Sequence, residues 1–218
     1  MVELRKRKAP VQPPAIEKRA KKGQSSTTTP TDTAKKHTSK SSGLSSGIPG
    51  VGDTIVLEGF GGEIETSEGT KTTLKNLVDA SHSGVVLFTY PRASTPGCTK
   101  QACLFRDSYD HITSTGLSVY GLSTDSPKAN TTFKTKQNLP YSLLCDTSAA
   151  LIAAIGFKKE PKGTTRGVFA VDKTGKVLLL QAGGPDATVQ AVVQLISTNL
   201  KKDELKPETK ASRVTSHG

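Results

Sequence analysis

The chain has 218 residues, 33% of them hydrophobic, with three cysteines and a formal net charge of +11. That apolar content suits one domain with tails, and the sparse, odd cysteine count excludes a secreted disulfide scaffold and points to a reducing compartment. Charge is segregated: residues 1–50 hold 11 Lys/Arg against 3 Asp/Glu, residues 51–200 hold 14 against 13, and residues 201–218 hold 5 against 3, so the body lacks the basic face of a nucleic-acid-binding domain.

Residues 1–50 are rich in Lys, Ser, Thr and Pro and cannot bury enough apolar surface to offset chain entropy, so a disordered basic arm is expected. In "KRKAPVQPPAIEKRAKK", Lys6-Arg7 and the cluster Lys18, Arg19, Lys21 and Lys22 flank a ten-residue spacer. This resembles a bipartite nuclear localisation signal, which implies an import receptor engaging residues 6–22 and a nuclear address after cytosolic synthesis. No run approaches the roughly 18 apolar residues of a membrane span, and no apolar stretch follows the basic start as in a secretory leader. "KDEL" at 202–205 is followed by thirteen further residues and is not a retention signal, and the sequon at Asn130 has no secretory route to use it.

Residues 51–200 read as the folded domain, with a flexible tail at 201–218. "GVVLFTY" (84–90) is an apolar run of a length that suits a strand buried on both faces. "LSVYGLS" (117–123) and "GVFAVD" (167–172) read alike, and "KVLLLQA" (176–182), behind a Lys-Thr-Gly turn, forms the return arm of a hairpin. Helices are predicted at 96–113, 127–137, 148–155 and 186–200. The alternation gives an α/β domain, a central mixed sheet flanked by helices. With no GxGxxG behind a strand and no GxxxxGK[ST], the nucleotide-binding versions of this architecture are disfavoured.

The chemistry concentrates in "YPRASTPGCTKQAC" (90–103). Thr95 is placed as an N-cap and Pro96 as the first helical residue, so Cys98 falls in the first turn. Unpaired backbone N–H groups and the positive end of the helix dipole there favour thiolate over thiol, and a neighbouring cation adds to the effect. Cys98, Ala102, Phe105, Tyr109 and Ile112 also recur at core-facing spacing, which is equally the pattern of a buried structural cysteine. A sulfur at the carboxyl end of the central strand, however, sits where open α/β sheets place their sites. Cys145, in "LLCD" with no helix start behind it, reads as structural. Arg106 is expected to brace Asp107 or a nearby loop.

Pro91-xxx-Thr95-xx-Cys98 matches the PxxxTxxC signature of the peroxiredoxins, and the stretch resembles their PrxQ, or bacterioferritin comigratory protein, type. "FTYPRASTPGCTKQACLFRD" with "KQNLPYSLLCD" is similar in particular to the nuclear thiol peroxidases of yeasts. The resemblance covers roughly residues 50–200. It implies a thioredoxin-like fold and reduction of hydrogen peroxide and organic hydroperoxides with no metal, haem or flavin cofactor. It further implies Cys98 as peroxidatic and Cys103 as resolving cysteine, forming an intramolecular disulfide that thioredoxin reduces. Thr95 would orient the peroxide, Pro91 would shield the sulfenic acid, and Arg166, just before "GVFAVD", would stabilise the thiolate and hold the peroxide oxygens. Members of this type are often monomers. Two positions depart: Gln101 stands where bacterial members often carry an acid, and Cys145 where a Ser is common.

Two other functions compete. A disulfide oxidoreductase of thioredoxin type would use CxxC, and the gap between Cys98 and Cys103 is four residues. A chromatin-associated protein would bind through the basic arm, but the near-neutral domain supplies no second contact surface. The histidines at 37, 82, 111 and 218 lack metal-ligand spacing.

Overall fold

The computed structural model describes residues 47–204; the arm with its localisation signal at 6–22 and the tail beyond residue 204 lie outside the described residues. The chain forms β1 (Glu63–Thr66), β2 (Lys71–Thr73), α1 (Leu74–Ala80), β3 (Gly84–Thr89), α2 (Pro96–Asp107), α3 (Tyr109–Thr113), β4 (Leu117–Ser123), α4 (Pro127–Gln137), β5 (Leu143–Cys145), α5 (Ala150–Ala154), β6 (Gly167–Asp172), β7 (Val177–Ala182) and α6 (Pro185–Glu204). The strands make one seven-stranded sheet in the order β2-β1-β5-β4-β3-β6-β7. Strand β3 runs parallel to β4, and β4 to β5, while the pairings of β3 with β6, β6 with β7, and β1 with β2 and β5 are antiparallel.

Every residue of β3 is buried because its two faces point into different cores. Val86 and Phe88 join Phe105 of α2, Phe133 of α4 and Val192 and Ile196 of α6 on one side. Val85 and Leu87 meet Leu74 and Val78 of α1 and Leu151 and Ile152 of α5 on the other. Three layers result. Phe88 stacks on Phe105 with ring centroids 4.3 Å apart, which seats α2 directly on the central strand.

Helix α4 and the strands at 117–123 and 167–172 keep their predicted bounds. The predicted helix 96–113 instead divides at Ser108, whose N–H turns back to Leu104 O and Arg106 O while its ψ of 4° leaves the helical range. The apolar stripe survives the break, since Ala102, Phe105 and Ile112 are all fully buried. The predicted helix 148–155 is shorter, as Ala150–Ala154, and starts where Asp146 accepts from Ala150 N and Ile152 N. In the β6–β7 turn Asp172 Oδ1 accepts from Thr174 N and Lys176 N, and Gly175 takes a φ of 83° that its lack of a Cβ permits.

Candidate active site

The loop between β3 and α2 carries the predicted site. Pro91 opens it, exposed. Ala93 N donates to Asp125 Oδ2 at 2.7 Å, and Ser94 adopts a φ of 61°, sparsely populated for a residue with a side chain. Asp125 thus anchors the backbone one residue before this position. Thr95 occupies the N-cap position, but its hydroxyl does not cap the helix; it donates to Arg92 O at 3.0 Å. The N-cap expectation is therefore correct for position and wrong for the hydrogen bond. With its proton directed to Arg92, Thr95 Oγ1 offers acceptor lone pairs.

Cys98 lies in the first turn of α2 and is 1% exposed. Thr99 N makes the first backbone bond of the turn, to Thr95 O at 2.8 Å, so the N–H groups of Gly97 and Cys98 precede the intrahelical ladder. Arg166 arrives from the next strand over. Because β6 runs antiparallel to β3 with Gly167 opposite Thr89, the residue before β6 falls at the carboxyl end of β3. Thr89 Oγ1 fixes that approach by donating to Thr165 O at 2.8 Å. The guanidinium donates from Nη1 to Gly97 O at 3.0 Å and Gln101 Oε1 at 2.8 Å, and from Nη2 to Cys98 Sγ at 3.4 Å. A Cβ on Gly97 would stand 3.1 Å from Nη2, so glycine leaves the fork its room. The planar donor set is what distinguishes Arg from Lys at such a position.

Gln101 is completely buried and continues the chain, donating from Nε2 to Thr188 Oγ1 of α6 at 3.1 Å. A second buried chain lies behind the loop: Tyr90 Oη donates to Asn130 Oδ1 at 2.8 Å, and Asn130 Nδ2 donates to Ser123 Oγ at 3.3 Å and to Cys145 Sγ at 3.2 Å. Burial raises the Tyr90 hydroxyl well above the usual phenol range, keeping it a donor. It likewise pushes the Cys145 thiol up, against a smaller opposing effect of Asn130.

The structure therefore gathers Cys98, Thr95 and Arg166 around one turn. Cys103 stands apart: it is half-buried in the same helix and turned toward α4, its Sγ donating to Gln137 Oε1 at 3.6 Å. As expected, Arg106 pairs with Asp107, at 2.9 Å, and holds a neighbouring loop through Gln137 O, at 2.9 Å. Sequence reasoning gave no role to Asp125 or Thr188 and noted Gln101 as a departure alone. Asp125 carried a usable signal, since it lies just past the carboxyl end of β4, beside the end of β3 where such sheets build sites.

A buried sulfur faced by a fixed cation, on a sheet of this topology, defines a class, the thiol peroxidases of thioredoxin-like fold. The chain matches the AhpC/TSA family over residues 60–179. It is 47% identical over 96 residues to peroxiredoxin bcp1 of Schizosaccharomyces pombe, a match spanning 44% of this chain and 48% of that one. Peroxiredoxin Bcp of Bacillus subtilis is 38% identical over 109 residues, 47% of this chain and 69% of its own. Among solved structures, peroxidoxin BcpB of Mycobacterium tuberculosis superposes with a TM-score of 0.62 at 30% identity, covering 68% of this chain and 96% of the other. The chain belongs to the AhpC/TSA family, and its relatives are peroxiredoxins of the Bcp/PrxQ type. It is a thiol peroxidase, with a hydroperoxide as substrate and a thiol as reductant.

Proposed function

We propose that Cys98 is the peroxidatic nucleophile and Cys103 the resolving thiol of a two-cysteine cycle. The observation that carries the reading is the Arg166 guanidinium, brought by the residue just before β6 to 3.4 Å from a sulfur in the first turn of α2. The Cys98 thiolate attacks the terminal peroxide oxygen, the O–O bond breaks, and the leaving alkoxide or hydroxide takes a proton to depart as alcohol or water. Arg166 stabilises charge on sulfur and on the peroxide oxygens as that bond stretches, Thr95 Oγ1 accepts from the incoming hydroperoxide, and Pro91 limits water at the sulfenic acid. Cys103 then displaces the sulfenic hydroxyl, giving a disulfide and water. A dithiol reductant, of which thioredoxin is the one proposed, restores both thiols by exchange.

The cycle requires movement. With both cysteines in one helix, five residues correspond to roughly 140° of rotation and 7.5 Å of rise, which puts the Cα atoms roughly 8–9 Å apart. A disulfide rarely spans more than about 7 Å. The first turn of α2 must therefore unwind, which suits a segment holding Gly97 and Thr99, weak helix formers.

An anaerobic thiol count before and after one equivalent of hydrogen peroxide tests the cycle: two thiols are lost per chain, none in Cys98→Ser, and one sulfenic acid without disulfide in Cys103→Ser. No loss of thiols in the unaltered chain would refute it. We further propose that residues 51–200 suffice for catalysis as a monomer, and that the basic clusters within residues 6–22 direct nuclear import through a receptor rather than bind nucleic acid. Unchanged nuclear accumulation after deletion of residues 1–50 would remove that role from the arm.

A further inference from the structure

We infer that Gln137, at the end of α4, is a positioning residue for the resolving step: its side chain latches Cys103 away from Cys98 and sets how fast the disulfide closes. The inference rests on the two-cysteine cycle proposed above.

Three contacts hold α2 around Cys103, and none of them involves the first turn. Tyr141 Oη donates to Ala102 O at 2.7 Å, one residue before Cys103. Arg106 Nη1 donates to Gln137 O at 2.9 Å, one turn after it. Cys103 Sγ donates to Gln137 Oε1 at 3.6 Å, within the longer range that sulfur's size allows. Cys103 is thus the stationary partner, and the Pro96–Cys98 turn is the part that travels. The thiol must nevertheless leave its acceptor before it attacks. While its proton is directed at Gln137, the sulfur faces α4 rather than the sulfenic acid arriving along α2.

Gln137 contributes to this contact in two separable ways. Its backbone oxygen receives Arg106 whatever the side chain, whereas its side-chain oxygen alone receives the thiol. Replacing the side chain therefore releases Cys103 and leaves the Arg106 anchor in place. Closure competes with a second oxidation, in which the Cys98 sulfenate attacks another hydroperoxide, giving sulfinic acid and one more molecule of alcohol or water. A slower latch exposes the sulfenate for longer. Gln137 in this way sets the peroxide concentration at which Cys98 is overoxidised.

The test uses the full chain with hydrogen peroxide, quenched and alkylated on the millisecond scale and read by mass spectrometry as sulfenic, disulfide and sulfinic forms. Gln137→Met keeps length and packing and removes the acceptor; closure is expected to quicken about fivefold, the change from one neutral hydrogen bond, and sulfinic acid to appear only at higher peroxide. Gln137→Glu retains the acceptor and adds charge, strengthening the bond; closure is expected to slow by a similar factor and overoxidation to begin earlier. The rate of sulfenic acid formation at Cys98 stays within about twofold in both, since neither change touches Arg166 or the first turn. Opposite directions in the two variants are what a packing role alone cannot produce. Closure rates equal to the unaltered chain, or shifted the same way in both variants, overturn the inference. If the unaltered chain forms no Cys98–Cys103 disulfide, the cycle itself fails and the latch falls with it, which is a different result from an intact cycle indifferent to residue 137.

Discussion

Cys98 and Cys145 are buried almost equally, at 1% and 3% exposure, and their surroundings differ. Cys98 receives a guanidinium, Arg166 Nη2; Cys145 receives the neutral amide of Asn130. Their backbones differ as much as their donors. Cys145 ends β5 between two neighbouring strands, in register with Glu65 of β1 and Ser123 of β4, so its main chain is held from both sides. Cys98 sits in a first helical turn, where few internal bonds must break for the chain to move. Burial alone therefore does not distinguish the two thiols. The charge of the donor each receives and the bonding of the backbone around it do.

The sharpest way to break the contrast is to remove the cation. Arg166→Ala takes away the donors to Cys98, Gly97 and Gln101 together, and the second-order rate constant for sulfenic acid formation should fall about 10²–10³-fold, as for loss of a preorganised donor elsewhere. Arg166→Lys keeps the charge without the fork and should recover only part of the loss. Activity of Arg166→Ala within about threefold of the unaltered enzyme would leave Cys98 no better activated than Cys145.

The mobility half of the comparison is read by amide hydrogen exchange. Oxidation to the Cys98–Cys103 disulfide should speed exchange across residues 96–106 by at least about tenfold, because that turn must unwind, while residues 143–145 keep their protection. Equal protection of 96–106 in both redox states, with the disulfide verified by mass spectrometry, would mean that the helix accommodates the bond without melting. A smaller effect is expected at Gln101. Gln101→Leu leaves Arg166 Nη1 without one acceptor and Thr188 without its donor in a fully buried place, and the peroxide rate should drop about tenfold. Gln101→Glu restores an acceptor but pairs the arginine with a charge, and should fall between the two.

Much of this was legible in the sequence because the elements around Cys98 have strong local signals. The apolar runs at 84–90, 117–123 and 167–172, the Pro127 start of α4 and the Thr95-Pro96 entry to α2 are all set by composition and turn chemistry over a few residues. Strands β1 and β2 were not legible. "EIET" and "KTT" carry one aliphatic residue between them and become strands by pairing with each other, and β1 also with β5, a tertiary effect that overrides weak propensity. The site divides in the same way. Cys98 was legible from its place at the helix start and from the PxxxTxxC motif, and Arg166 through the family resemblance, whereas Asp125, Gln101 with Thr188, and Gln137 act through contacts between residues 31 to 87 positions apart, and no short window contains them.

The smallest effect belongs to Cys145. Cys145→Ser should leave peroxide turnover within about threefold, since that thiol lacks the cation and helix start that activate a cysteine, and its neighbour Asn130 can donate to the serine hydroxyl as it does to sulfur. The substitution should show instead in the alkaline limb of stability. Burial raises the Cys145 thiol above its ordinary value of 9.0, so the folded chain holds that proton more tightly than the unfolded one. The resulting stability is complete below about 9 and is lost as pH climbs from there through the folded value. Tyr90 and Tyr141, both raised by burial, behave likewise from 10.0 upward and are common to both proteins. Melting temperatures measured from pH 8 to 10.5 should therefore fall in each, but less steeply in Cys145→Ser. Parallel curves would show that Cys145 titrates as freely in the fold as outside it, and would reopen the question of whether its burial keeps it inert.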